Sequence, residues 1–77
     1  MARIRDFEQV TSKSKIHPTE ADAEWNILSF GPDTLLQVST FGSDSRASHP
    51  KVSQTIQFDL NAARTLKEAI ETAFPEL

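Results

Sequence analysis

The side chains best suited to chemistry lie together in the stretch SRASHPKVSQTIQF, residues 45–58. Basic side chains come first, in a segment whose Ser and Pro content is typical of an exposed loop. Hydroxyl and amide side chains then recur along an alternating strand. The candidate residues are Arg46, His49, Lys51, Ser53, Thr55 and Gln57. Because Arg, Lys, Ser, Thr and Gln side chains contact phosphates, we predict a nucleic-acid-binding patch. The alternative is an ordinary solvated loop followed by the outward face of a strand.

The histidines and a run of alternating carboxylates are the other side chains that could form a catalytic or metal site. His17 and His49 each precede a proline, and no carboxylate is placed to orient either ring, as hydrolytic catalysis requires. Glu20, Asp22 and Glu24 alternate along a predicted strand, whereas hard-cation sites usually take their ligands from a curved loop. We therefore expect no enzymatic activity, no metal and no other cofactor, and a solvated outer face for the three carboxylates.

The single tryptophan, Trp25, falls on the apolar side of a strand predicted at residues 20–30. Ala21, Ala23 and Ile27 share that side. We predict that Trp25 lies in the core. A base-stacking role is the alternative, if that face of the sheet is open.

Further strands must position these side chains. The sequence GPDT predicts a turn with Pro32 at its second position and Asp33 at its third. A returning strand is predicted at residues 35–41, and the next strand at residues 52–58. A first strand is expected within residues 8–17, where apolar residues are few.

A C-terminal helix is predicted after Asp59, which can accept hydrogen bonds from the free amides of the first turn. Pro75 is expected to end it. Its apolar stripe consists of Ala62, Ala63, Leu66, Ala69, Ile70 and Phe74. The fold class predicted is α+β, an antiparallel sheet of about four strands followed by one C-terminal helix packed on one face. Residues 1–77 are expected to form a single domain, with residues 1–18 as either a first strand or an arm.

Length and composition favour self-association. A chain of 77 residues buries only about 60% of its unfolded surface, and small scaffolds usually need a disulfide, a metal or a partner. Cysteine is absent, so we expect a homodimer. We expect a cytoplasmic location, because neither a signal peptide nor an apolar run of about 20 residues is recognised. No membrane and no small-molecule substrate is indicated.

Charge is distributed in bands along the chain, although the net charge of −3 argues against indiscriminate nucleic-acid binding. Basic side chains concentrate in residues 1–17 and 46–58, and residues 18–45 contain acids but no Lys or Arg. Chance in a short sequence is the alternative explanation. The banding allows a local cationic patch on an acidic chain.

The segment HPKVSQTIQFDLNAARTLKEAI places a Pro-Lys loop before an apolar strand and an amphipathic helix. The positions concerned are Pro50, Lys51, Ile56, Phe58, Leu66 and Ile70. In this pattern, over residues 25–74, the chain resembles the single-stranded-DNA-binding domain of the transcriptional coactivator family called positive cofactor four. Val52 and Ser53 stand where that family has loop glycines. The resemblance implies a homodimer with paired helices and exposed strand faces that bind single-stranded DNA.

These observations lead to two expectations of different classes. The first is a small accessory or regulatory protein that binds nucleic acid, single strands in particular, as a homodimer. The second is a protein-interaction adaptor without nucleic-acid binding. Salt dependence distinguishes them, because nucleic-acid binding weakens steeply with salt through counterion release.

Overall fold

A computed structural model describes residues 1–42 and 51–77 and contains a four-stranded sheet and one helix. The elements are β1 (Ala2–Arg3), β2 (Ala23–Phe30), β3 (Asp33–Phe41), β4 (Val52–Phe58) and α1 (Leu60–Ala73). The strands lie side by side in the order β1-β4-β3-β2. The predicted α+β class, with the strands preceding a single C-terminal helix, is confirmed.

Strands β2 and β3 form a hairpin with a two-residue turn. Phe30 pairs with Asp33, and Gly31 and Pro32 make the turn between them. Gly31 has a φ of 56°, as the first central residue of a type II′ turn requires, and only glycine adopts such an angle without strain. The predicted turn was therefore displaced by one residue, since Pro32 occupies the third position and Asp33 already belongs to β3.

The first strand lies nearer the N-terminus than predicted. β1 pairs in parallel with β4, with Ala2 opposite Ile56 and Arg3 opposite Gln57. The prediction of a strand within residues 8–17 is wrong, because that segment has no regular structure and is exposed throughout. Two residues are enough to pair with part of the edge of β4, so the sheet is mixed rather than wholly antiparallel.

The two faces of the sheet differ in character at the centre, and Leu28, Leu35 and Val52 lie towards the ends of the side that carries Gln37 and Gln57. Residues in register across neighbouring strands share a face, and successive residues of one strand point to opposite faces. We call apolar face the side that carries Trp25, Ile27, Leu36, Val38, Ile56 and Phe58. We call polar face the side that carries Arg3, Asn26, Gln37, Ser39, Thr55 and Gln57.

The helix begins and ends where the sequence predicts. The Asp59 side chain accepts a hydrogen bond of 2.9 Å from the backbone N–H of Ala62, which satisfies one of the free donors of the first turn. Phe74 is the C-terminal cap, followed by Pro75. The helix contacts strands β3 and β4. Within residues 1–42 and 51–77, no helix is long and apolar enough to cross a membrane.

Very little of a single chain is buried. Among the described residues, only Phe58 and Ala62 are buried, and the ring of Phe7 lies against that of Phe58 with centroids 6.2 Å apart. Trp25 is 69% exposed, so its predicted core position is wrong for an isolated chain. The reason is its place on β2, an edge strand that the helix does not reach.

Candidate nucleic-acid interface

The structure places only part of the predicted patch on one surface. Thr55 and Gln57 are half-buried on the polar face, and Lys51 is exposed just before β4. The carbonyl oxygen of Lys51 accepts a hydrogen bond of 3.1 Å from the N–H of Gly42. Arg46 and His49 lie outside the described residues. Two of the six predicted residues, Thr55 and Gln57, therefore lie on the polar face, and Lys51 is exposed just before the strand that carries them.

A β-bulge separates Ser53 from the other polar residues of β4. Thr40 pairs with Gln54 and Phe41 with Val52, so Ser53 is an extra residue in β4. The Ser53 hydroxyl lies 3.0 Å from the hydroxyl of Thr40, whereas the Thr55 hydroxyl lies 3.0 Å from that of Ser39. Thr40 and Ser39 point to opposite faces, so Ser53 does not continue the row of Thr55 and Gln57.

A row of polar side chains crosses all four strands of the sheet. Asn26, Gln37, Gln57 and Arg3 occupy successive registered positions on β2, β3, β4 and β1. The Gln57 side-chain amide donates to Gln37 Oε1 at 2.9 Å, and the Gln37 amide donates to Asn26 Oδ1 at 3.4 Å. These hydrogen bonds fix the orientation of the amides, and the row ends at the guanidinium-bearing side chain of Arg3.

A second, shorter row runs beside the first. Glu24, Ser39 and Thr55 are in register on β2, β3 and β4. The hydroxyls of Ser39 and Thr55 are hydrogen-bonded, and Glu24 is exposed at the edge of the sheet. The polar face therefore has its cation, Arg3, on the β1 side, and its carboxylates, Glu24 on β2 and Asp33 at the start of β3, in the hairpin. An anionic ligand is expected to lie towards β1 and β4.

Aromatic side chains border the polar face. Phe30, the last residue of β2, is four residues after Asn26 and therefore points to the same face, where it is 64% exposed. Phe41, the last residue of β3, points to the same face as Gln37 and Ser39 and is half-buried. Phe30 and Arg3 also line an open cleft of about 830 Å³ between the hairpin turn and the start of the helix. An exposed ring and a cation thus line the same cleft, together with Asp33 and Asp59.

The two rows retain hydrogen-bonding capacity for a ligand. A glutamine amide has two N–H donors and two acceptor positions on its oxygen, and a hydroxyl has one donor and two acceptor positions. The hydrogen bonds between the side chains use only part of that capacity. Thr55 and Gln57 are only half-buried, so the second N–H of Gln57 and the unused hydrogen-bonding positions of Thr55 remain accessible from the surface. Such donors, with Arg3 and Lys51, are the groups that contact phosphate and sugar oxygens.

Sequence reasoning missed Arg3, Asn26, Gln37 and Ser39 as members of this surface. The alternation of Gln37 and Ser39 with Leu36 and Val38 was a visible signal for the two central residues. Asn26 alternates in the same way with Trp25 and Ile27. Arg3 had no local signal, because its position depends on pairing between distant parts of the chain.

The carboxylates considered for a metal site do not form a row on one strand. Only Glu24 lies in β2, because the strand begins at Ala23 and leaves Glu20 and Asp22 in the preceding exposed segment. Among residues 1–42 and 51–77, no group of three or more His, Cys, Asp or Glu side chains is arranged to hold a metal ion.

Comparison of the chain with family models, with curated proteins and with solved structures finds no match.

Proposed function

We propose that this chain is a small accessory or regulatory protein that binds nucleic acid, single strands in preference to duplexes, and acts as a homodimer. The observation that carries the proposal is the row Asn26, Gln37, Gln57 and Arg3, which crosses the sheet and ends at a cation. The sequence resemblance to the positive cofactor four family supports the same function.

The polar face offers the contacts that a sugar-phosphate chain needs. Arg3 supplies a charged donor on the face, and exposed Lys51 supplies a second one at the start of β4. The amide of Gln57 and the hydroxyl of Thr55 lie between neighbouring strands and add uncharged donors. Contacts of these kinds position a phosphate chain without reading its sequence. The proposed activity is binding alone, without catalysis or a cofactor.

A preference for single strands follows from an exposed ring and from charge. Phe30 is largely exposed at the end of the polar face, and bases stack on aromatic side chains when they are unpaired. A duplex has about twice the axial charge density of one strand, so a chain of net charge −3 repels it more strongly. Both effects favour single-stranded DNA or RNA.

The proposal is tested by fluorescence anisotropy with a labelled single-stranded oligonucleotide and its duplex, at several salt concentrations. We expect the single strand to bind more tightly at about 50 mM salt, with an affinity that falls as salt rises because phosphate contacts release counterions. Absence of binding to every oligonucleotide at that salt concentration would refute the proposal.

The second candidate function is a protein-interaction adaptor. The specific observation in its favour is the apolar face, where Trp25 and Ile27 are exposed in the isolated chain. An adaptor of this kind would bind no oligonucleotide at any salt concentration, so the same anisotropy experiment separates the two functions.

A further inference from the structure

We infer that the apolar face of the sheet is the surface through which two copies of this chain associate. The inference rests on the homodimer in the proposed function and deepens it by naming the contact surface. It also leaves the polar face free, because the two faces are on opposite sides of one sheet.

The apolar face is too exposed to belong to a stable isolated chain. Trp25 is 69% exposed and Ile27 is 64% exposed, although both are in register with apolar residues of β3. Trp25, Leu36 and Val38 line a shallow apolar depression of about 420 Å³, whose lining also includes Glu24 from the edge strand. Contiguous apolar surface of this kind on a small protein marks an interaction site.

The total surface area is large enough to include an interface. The chain exposes 7274 Å², whereas a compact monomer of 8.6 kDa exposes about 4,700 Å². The excess of roughly 2,600 Å² is several times the ~800 Å² that each partner buries in a standard interface. The radius of gyration, 14.7 Å, also exceeds the 11–12 Å or so expected for this length. The extended segment before β2 contributes to both differences, and exposed side chains of the apolar face, such as Trp25 and Ile27, contribute to the area.

The charge pattern favours a second copy as the occupant. Along the described strands, the positions on the apolar face carry no charged side chain, while Glu24 and Arg3 lie on the opposite side. Like charges that face one another across an interface are strongly unfavourable, and an isologous dimer uses the same patch on both chains, so positions near the twofold axis meet their own counterparts. A neutral face lets two chains of net charge −3 meet without such contacts.

The same pattern disfavours nucleic acid as the occupant of this face. Trp25 can stack on a base, but the strand positions around it provide no cation to hold the phosphates. The polar face has Arg3 for that purpose. A dimer that buries the apolar faces therefore keeps both polar faces at its outer surface.

The single tryptophan provides a direct test. Sedimentation velocity and Trp25 emission are measured on the wild-type chain, without nucleic acid, over the same dilution series. We expect the emission maximum to move to shorter wavelength over the concentrations at which the mass doubles from 8.6 kDa. A doubled mass with the emission of an exposed indole would place the interface elsewhere and overturn the inference, while leaving the homodimer intact.

Two further outcomes of this experiment are equally decisive. A mass that stays at the monomer value at all concentrations would refute both the inference and the homodimer in the proposed function. In a parallel series with added oligonucleotide, a Trp25 emission that changes only in the presence of the single strand would identify the apolar face as a nucleic-acid surface and overturn the inference. Nucleic-acid binding is scored separately by anisotropy, so its failure is distinguishable from failure of the interface.

A matched pair of variants on β2 adds a second measurement. Ile27→Glu places a carboxylate on the apolar face, and we expect it to weaken dimerisation at least about 100-fold. Asn26→Glu introduces the same charge on the opposite side of the same strand and should leave the dissociation constant within about threefold. Equal effects of the two variants would overturn the inference. If Ile27→Glu is unfolded by circular dichroism, the wild-type dilution series alone decides.

Discussion

Arg3 reaches the polar face only because β1 pairs in parallel with β4, which brings it beside Gln57. It is the one cation that the described strands place on that face, and Lys51 is exposed just before β4. If phosphates bind here, these two side chains supply the positive charge, and the amides of Gln57 and Gln37 orient the phosphates by hydrogen bonding. Individual basic residues should therefore dominate the salt dependence.

Arg3→Ala and Lys51→Ala should each weaken single-strand binding by a similar factor across sequences. Each should also reduce the salt slope by roughly one unit, because one phosphate contact is lost. Arg64→Ala, on the exposed side of the helix, is the matched control and should change neither quantity. Anisotropy titrations at several salt concentrations make the comparison. Wild-type slopes in both variants would show that the phosphates lie elsewhere.

Asp59 contributes to stability through one hydrogen bond to the first turn of the helix. Asp59→Ala should lower the free energy of unfolding by about 1 kcal/mol, because the N–H of Ala62 loses its side-chain partner. Asp59→Asn retains an acceptor of the same geometry and should lose much less. Urea melts at one fixed protein concentration measure both. Equal losses in the two variants would mean that the cap is not the cause.

The elements with local signals are the ones that sequence patterns predict well. The alternation from Thr55 to Phe58, the Asp59 cap and the Pro75 stop depend on neighbours in the chain, and all three agree with the structure. β1 was missed because parallel pairing joins distant segments. The bulge at Ser53 was missed because an extra residue leaves no trace in the pattern of apolar and polar residues.

The same reasoning explains how much of the candidate site was predicted. Thr55 and Gln57 were found from alternation, while Asn26, Gln37 and Arg3 join them only through strand register. Trp25 was assigned to the core because its side of β2 is apolar. Burial depends on what covers that side, and the helix reaches only β3 and β4.

The β2–β3 hairpin depends on the positive φ of Gly31. Gly31→Ala should destabilise the fold by about 1–2 kcal/mol, since a Cβ makes the left-handed conformation unfavourable, although no neighbouring atom blocks it. Gly42→Ala is the matched control, because Gly42 has open space and no positive φ, and it should change stability by less than about 0.5 kcal/mol. Thermal melts that show equal effects would contradict this account of the turn.

In the whole molecule, the apolar stripe of the helix is covered only in its N-terminal half, and much of the apolar face of the sheet is exposed. Ala62 is buried and Leu66 is half-buried, whereas Ile70 is 39% exposed and Phe74 is 53% exposed. The N-terminal half of the stripe thus faces its own chain, and the C-terminal half is left open. Self-association that also covers this half would couple folding to dimerisation, and stability would then rise with protein concentration.

Ile70→Ala should therefore cost more in the dimer than in the monomer. We expect a loss below about 1 kcal/mol when the chain is dilute and monomeric, and about 2 kcal/mol or more when it is concentrated and dimeric. Glu68→Ala, off the stripe, should change stability by no more than about 0.5 kcal/mol at either concentration. Urea melts at the two concentrations decide. The same loss at both would show that Ile70 lies outside the interface.

The most direct test of binding through the polar face is a titration of isotope-labelled protein with a single-stranded oligonucleotide, followed by backbone and side-chain amide NMR shifts. The account predicts shifts concentrated at Arg3, Gln37, Ser39, Thr55 and Gln57, with the indole N–H of Trp25 unchanged. Shifts concentrated at Trp25 and Ile27, or no shifts at concentrations where the anisotropy rises, would contradict it.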